Sequence, residues 1–267
     1  MEKFNVSVIL PIKTATAFGF EDYFLKAIQS LKDQKTQIKE LIIVHTDETI
    51  LTDFLNNYDF GDLNVKKLLW ENEPNFCEQV NLGIKESTSE WVTFFEFDDE
   101  YSKIWFDNVK KYSSVYTDVD VFLPIVVDTD EHGKFVGFTN EATFAVNISS
   151  EIGLLKNEVL QQYQNFQISG MVMKKSSLEN TGLLKGSFKL TFGYEFLLRL
   201  THYSLKIMTL PKIGYKHTNF RPGSIFWSYK NGDNVLDQDE VKFWIEGAKK
   251  EYYFTSDRKI KYEPQNS

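Results

Sequence analysis

Apolar and polar positions along this chain repeat with two periods, and stretches of one period alternate with stretches of the other. Val6-Ser7-Val8-Ile9-Leu10-Pro11-Ile12 is a short, β-branched apolar run ending near a proline, the pattern of a buried strand. From Glu21 to Leu31, the side chains of Tyr23, Phe24, Ala27, Ile28 and Leu31 fall on one helical face. A second strand, Glu40 to Val44, runs into His45-Thr46-Asp47-Glu48, and a helix separates it from a third strand over Asn64 to Trp70. Asn75 caps a helix reaching about Ser87, with Phe76, Val80, Ile84 and Ser87 at helical spacing. Trp91-Val92-Thr93-Phe94-Phe95 is a fourth strand. Trp105, Val109, Tyr112 and Tyr116 stripe another helix, and Asp120 to Val127 is a fifth strand.

Strand–helix alternation of this kind implies βαβ crossovers, so the fold class is α/β, a mainly parallel Rossmann-like sheet with flanking helices. The second half is less regular. Asp128 to Lys134 forms a turn, Phe135 to Ile148 holds one or two short strands, and Asn165 to Lys174 is strand-like. Thr191 to His202 suits a helix and Lys206 to Leu210 a strand. Asp237 to Tyr253 closes the chain as a helix with Val241, Trp244, Ala248 and Tyr252 on one face. No internal repeat or linker interrupts the pattern. The reading is one domain over 1–230, with halves 1–127 and 128–230 and the second forming a smaller lobe, followed by a C-terminal helix and tail over 231–267.

Composition narrows the function classes. The chain has 267 residues, 42% hydrophobic and 25% charged, enough for a substantial core. No apolar run approaches the roughly 20 residues that cross a bilayer, and Met1 to Asn5 has no signal-peptide layout. Cytoplasmic residence is therefore expected. A single cysteine, Cys77, leaves no intramolecular disulfide framework and no thiolate metal cluster. Net charge of −8 argues against a wide non-specific nucleic-acid surface. A local basic cluster remains at the C-terminus. Lys249, Lys250, Arg258, Lys259 and Lys261 are interleaved there with Tyr252, Tyr253, Phe254 and Tyr262, which would suit nucleic acid or a partner subunit, a second copy of the chain included.

The chemistry concentrates where the fourth strand ends. Glu96-Phe97-Asp98-Asp99-Glu100 puts four carboxylates into five residues directly after a core strand. Like charges at such density are costly to bury unless a cation compensates them. The carboxyl edge of an open α/β sheet is also where ligands bind. A solvated acidic turn is the plainer alternative.

Taken in order, Val8-Ile9-Leu10-Pro11, Leu41-Ile42-Ile43-Val44, Asn81-Leu82-Gly83-Ile84 and Glu90 to Asp99 resemble a family 2 glycosyltransferase with the GT-A fold. Farther on, Tyr194-Glu195-Phe196-Leu197-Leu198-Arg199-Leu200 and Arg221-Pro222-Gly223-Ser224 resemble that family's acceptor-side helix and closing loop, so the likeness covers roughly residues 5–225. The resemblance implies transfer of a sugar from a nucleotide-diphosphate donor, usually with inversion, the half 1–127 holding the donor and the half 128–230 facing the acceptor. It implies Glu96 toward the ribose and Asp98 or Asp99 on a divalent metal, with His217 as a third metal ligand. Mn²⁺ or Mg²⁺ suits such an oxygen-rich site. Pro11, Lys13, Asn81 and Arg221 are implied on the nucleotide or diphosphate side, with Thr14 near the nucleotide and Lys216 as a second candidate for the diphosphate.

Two positions depart from the family pattern. Where the family sets a Glu-Asp pair before the acceptor helix, this chain has Phe192-Gly193, which leaves Glu195 as the nearest candidate base for the acceptor hydroxyl. Where the family reads the base with an aspartate, this chain has His45, followed by Thr46 and Asp47, so His45, Asp47 or backbone groups are the candidates. Phe135, Phe138, Phe144, Tyr163 and Phe166 are placed to stack on a sugar ring or a base of the acceptor. That acceptor would be a glycan, another hydroxyl acceptor or a hydroxymethylated DNA base of viral type. A sugar nucleotidyltransferase is disfavoured, because Thr14 to Gly19 holds one glycine and no arginine. A catalytically inert GT-A-like binding module is the non-enzyme alternative.

Overall fold

β1 (Phe4–Ile12) is buried along almost its whole length, and Val6, Val8, Ile9 and Leu10 have no exposed surface. Such a strand must be covered on both faces. β2 (Ile38–Thr46) and β3 (Val65–Trp70) extend the sheet in parallel on one side of it, and β4 (Trp91–Phe94) pairs in parallel on the other. The chain thus steps outward twice and then crosses back over β1. The resulting switch point places a ligand crevice beyond the carboxyl ends of β1 and β4. In the computed structural model, which describes residues 3–141, 153–231 and 235–251, α1 (Phe20–Lys32), α2 (Thr49–Asn57) and α4 (Trp105–Val115) cover one face of the sheet. Phe24, Ile28, Leu51, Leu55, Trp105 and Phe106 fill that layer. α3 (Phe76–Glu86) and α7 (Phe192–His202) cover the other, through Val80, Ile84, Phe196 and Leu197. Each fully buried Leu or Phe contributes roughly 2 kcal/mol of hydrophobic stabilisation.

Beyond β4 the sheet departs from the expected order. The fifth parallel strand, β6 (Val121–Thr129), does not pair with β4; β9 (Val172–Lys174) lies between them, antiparallel to both. β10 (Ile207–Thr218) is parallel to β6 and carries β5 (Glu100–Tyr101) antiparallel at its far end. β7 (Phe135–Thr139) pairs with β6, and β8 (Leu154–Leu155) with β10. The strand-like stretch from Asn165 shortens to Val172–Lys174. The strand expected over Lys206–Leu210 instead runs on to Thr218, because register shifts near Ile213 break the apolar alternation while the hydrogen-bonded ladder resumes beyond. Strands from both sequence halves therefore share one sheet.

Small helices α5 (Asn157–Gln162) and α6 (Ser177–Thr181) fill the lower part of the second half. α8 (Ile225–Asn231) and α9 (Gln238–Glu251) close the described chain, with Ala248 of α9 buried against the α7 layer. Local signals in the sequence hold at α3. Asn75 accepts a hydrogen bond from the Glu78 N–H, and Gly83 lets the helix lie directly on β1, since a Cβ there would overlap Ile9 Cγ2. Phe144, Ile148 and the tail residues Tyr252, Tyr253, Phe254, Arg258, Lys259, Lys261 and Tyr262 lie outside the described residues.

Candidate active site

The acidic stretch leaves β4 as a tight turn anchored by aromatics. The Phe95 N–H still bonds the Ile9 carbonyl of β1 at 2.9 Å, and the Asp99 N–H bonds the Glu96 carbonyl at 3.2 Å. Phe95 and Phe97 are buried in the α1 layer, so the alternation turns Glu96 to the opposite side, toward α3 and α7. β10 then brings its end alongside. Its residues Tyr215 and Lys216 pair with Tyr101 and Glu100, which sets His217 and Thr218 directly against the turn.

Asp99 is held twice by this strand end. Its Oδ2 lies 3.1 Å from His217 Nδ1, and its Oδ1 accepts the Thr218 N–H at 2.8 Å. Thr218 Oγ1 donates to the Asp98 carbonyl at 2.5 Å. Asp98 turns the other way, where Arg221 Nε donates to its Oδ2 at 2.5 Å and the guanidinium lies 4.6 Å over the Phe97 ring. Both members of that pair are buried. One ligand atom each from Glu96, Asp99 and His217 come within 4.8 Å of one another. Two carboxylates and an imidazole at that spacing fit a divalent cation with a preference for oxygen ligands. The resemblance put Asp98 or Asp99 on the metal with His217, and Glu96 toward the ribose. The geometry brings Glu96 beside Asp99 and His217 and pairs Asp98 with Arg221. His217 lies near the end of β10.

Charge in this cluster is poorly balanced. Burial, followed by the neighbouring Asp99, raises the Glu96 carboxyl to about 8 although its side chain still reaches the cleft. Burial and Asp99 also raise Asp98, against the opposing pull of Arg221. For His217, burial alone would lower the pKa, but Asp99, Glu96 and Asp128 together carry it up to about 10. The upward shifts of Glu96 and His217 both favour bound protons in this crowded cluster, and a divalent cation would supply the same compensation of charge.

The remaining expected residues separate into two groups. Pro11, Lys13, His45 and Asp47 stand at the ends of β1 and β2. Pro11 and His45 are buried, the His45 ring lying 2.9 Å from the Thr46 carbonyl, whereas Lys13 and Asp47 are exposed. The Lys13 carbonyl accepts from Thr46 Oγ1. Lys216 is engaged by Glu100 at 2.7 Å. Asn81 and Glu195 do not reach the cleft. Asn81 is buried and exchanges two hydrogen bonds with the Leu184 backbone. Glu195 has no exposed surface, and its two carboxylate oxygens accept from Arg199 Nε and Nη2 at 3.0 Å each, with Lys185 3.2 Å away. Phe192, Gly193 and Tyr194 form the face of α7 that meets the cleft, and one residue later the helix has turned Glu195 into the core.

Three side chains went unremarked in the sequence. Gln79 of α3 spans the ends of β1 and β2, bonding the carbonyls of Ile12 and Val44. Glu48 fastens the loop after β1 by accepting from Ala15 N–H and Thr14 Oγ1. Asp128 ends β6 opposite His217, buried and accepting from Thr139 Oγ1 and Gln167 Nε2. The usable signal for Asp128 was its place at a strand end on the same sheet edge as the acidic turn.

Two of the cavities that reach this cluster are large enough for a sugar. One, of about 250 Å³, is the more enclosed and has Glu96 and His217 at its inner end. The other is an open trough of about 650 Å³ between β7 and α8, also reaching His217 and with Asp128 on its wall. The model for glycosyl transferase family 2 matches residues 7–179. Over 78 residues the chain is 35% identical to the glycosyltransferase SunS of Bacillus phage SPbeta, and of the SPbeta prophage in Bacillus subtilis strain 168. That match covers 29% of this chain and 17% of SunS. Structures of S. aureus TarS residues 1–349, in complex with UDP and with UDP-GlcNAc, superpose with TM-scores of 0.59 and 0.60 over 99% of this chain, at 18% and 17% identity. They are covered to 77% and 78%, and a longer TarS chain to 46%. The chain thus spans under a fifth of the curated relatives' length.

Proposed function

The chain belongs to glycosyl transferase family 2, and from that premise we propose that it moves a sugar from a uridine-diphosphate donor to an acceptor hydroxyl. The observation that carries this reading is the Glu96–Asp99–His217 cluster at the switch-point end of β4. UDP is taken as the nucleotide because the similar TarS fold is solved with UDP and UDP-GlcNAc. Glu96, Asp99 and His217 would hold a divalent cation, Mn²⁺ or Mg²⁺, whose contribution when bound is to offset the negative charge of the departing diphosphate.

The chain's own residues supply the rest. Thr218 and His217 hold Asp99 in place through the two bonds described above, so its carboxylate meets the donor preorganised. Arg221 sits beside the same turn with a planar fork suited to phosphate oxygens. It neutralises Asp98 in the free protein. On the acceptor side, Asp128 is the one acid among the described residues lining the open trough, and we assign it the proton of the acceptor hydroxyl in place of Glu195. As Asp128 takes the hydroxyl proton, the acceptor oxygen bonds to the anomeric carbon from the side opposite the diphosphate while the bond to the diphosphate breaks, which inverts that carbon.

The test is release of nucleoside diphosphate from UDP-sugars in the presence of Mn²⁺. Sustained release that falls at least a hundredfold in Asp99→Asn supports the reading. Release unaffected by that substitution rejects it, and no release from any donor favours an inert binding module.

A further inference from the structure

We infer that the enclosed cavity receives the transferred sugar and selects one bearing an apolar substituent, an N-acetylhexosamine rather than an unsubstituted hexose. The inference rests on the donor reading above and goes beyond it to the sugar. The two larger of the cavities that reach His217 differ in the way the two substrates must differ. The sugar of a nucleotide donor is one bond from the diphosphate, so it must lie directly against Glu96 and His217, and water must be kept from its anomeric carbon. The acceptor has to enter and, once glycosylated, leave; the open trough suits it.

The walls of the enclosed cavity set its preference. Phe166, Ile168 and Phe192 are almost completely buried and face it, with Phe226 stacked on Phe192 at 6.2 Å and 14°. Gly193 keeps the wall open; a Cβ there would only touch Ile168 Cγ1 at 3.4 Å, at the edge of ordinary contact. Apart from Glu96 and His217 at the inner end, the described lining residues carry no charge. A hexose hydroxyl pointed at Phe192 or Ile168 would surrender its bonds to water for no partner. An acetamido methyl in the same place buries apolar surface, and Ser169 sets a hydroxyl in the wall for the amide. Phe192 and Gly193, the positions where the family pattern carries its acid pair, thus become residues that choose the donor.

Competition binding to the intact chain with Mn²⁺ reads this directly, using UDP, UDP-glucose and UDP-N-acetylglucosamine. The ratio of the two sugar-nucleotide affinities is the readout. UDP-N-acetylglucosamine is expected to bind at least about fourfold tighter than UDP-glucose, the effect of burying one methyl group. Ile168→Asn should bring the ratio close to one, and Gly193→Ser, which is less demanding of the fold, should lower it as well. Equal or reversed affinities in the wild type overturn the inference, as does a ratio unchanged in both folded variants. Failure of UDP itself to bind is a separate result and removes the donor reading on which the inference stands.

Discussion

His217 Nδ1 and Asp99 Oδ2 stand 3.1 Å apart although 118 positions separate them in sequence. Nothing local brings them together. Asp99 follows a core strand of the first half, and His217 ends a strand of the second, so the site exists only once β5 has paired with β10. A carboxylate and an imidazole placed by two rigid strand ends, with Glu96 completing the set, can grip a cation without ordering a loop.

Glu195 separates the sequence reading of the base from the structural one. With both oxygens on Arg199, the Glu195→Gln variant should lose about 3 kcal/mol of stability, because a buried guanidinium is left without its counter-charge. The pH profile of turnover should keep its shape. Urea unfolding and a pH–rate series check both; a stable variant lacking the acid limb of that profile would restore Glu195 as the base.

Arg221 and Asp98 should behave as one unit. Arg221→Met leaves a buried carboxylate uncompensated and is expected to cost about 3 kcal/mol, whereas adding Asp98→Asn to it should recover a large part of the loss. Strictly additive unfolding energies in this double-mutant cycle would show that the pair is not coupled.

Gly83 explains why the Asn-x-Gly-Ile helix has its glycine. Gly83→Ala pushes a methyl into Ile9 Cγ2, and overpacking at a helix–strand contact costs about 1–3 kcal/mol. The measurement is the urea midpoint, and an unchanged midpoint would mean that α3 stands off β1 farther than described.

Glu40 gives the fold an acid-sensitive point far from the chemistry. Burial alone would raise its pKa, but hydrogen bonds from Ser7 Oγ at 2.5 Å and the Thr88 N–H at 2.7 Å hold it below the usual carboxylate value. A lowered folded-state pKa contributes stability that is complete above the unfolded value of about 4.3 and lost as pH falls through the folded value. The stability gap between wild type and Glu40→Gln should therefore be widest near neutrality and narrow below about pH 4. A gap independent of pH would contradict the assignment.

Much of this architecture was legible from periodicity. β1 to β4, α1 and α3 carry their signals locally, through the apolar runs of Val6–Ile12 and Leu41–Val44 and the Asn75 cap, and all of them form. What stayed hidden depends on partners remote in sequence. The three residues of β9 acquire meaning only between β4 and β6, and the bulged β10 looks like a strand only as far as Leu210 unless β6 is beside it. The acidic turn was visible, yet which acid joins the cluster was not. Glu96 and Asp99 meet at His217 while Asp98 meets Arg221, and both partners come from the remote second half of the chain. Glu195 was misplaced as well, since Arg199 one turn later claims it.

The proposed function turns on Glu96, Asp99 and His217, which would hold a divalent cation that offsets the charge of the donor diphosphate. Calorimetric titration of UDP into the protein with Mn²⁺, with chelator, and in the His217→Ala variant tests it most directly. One UDP site per chain is expected, with an affinity that falls at least tenfold when Mn²⁺ is chelated and falls similarly in His217→Ala with Mn²⁺ present. UDP binding of equal strength under all three conditions would contradict it.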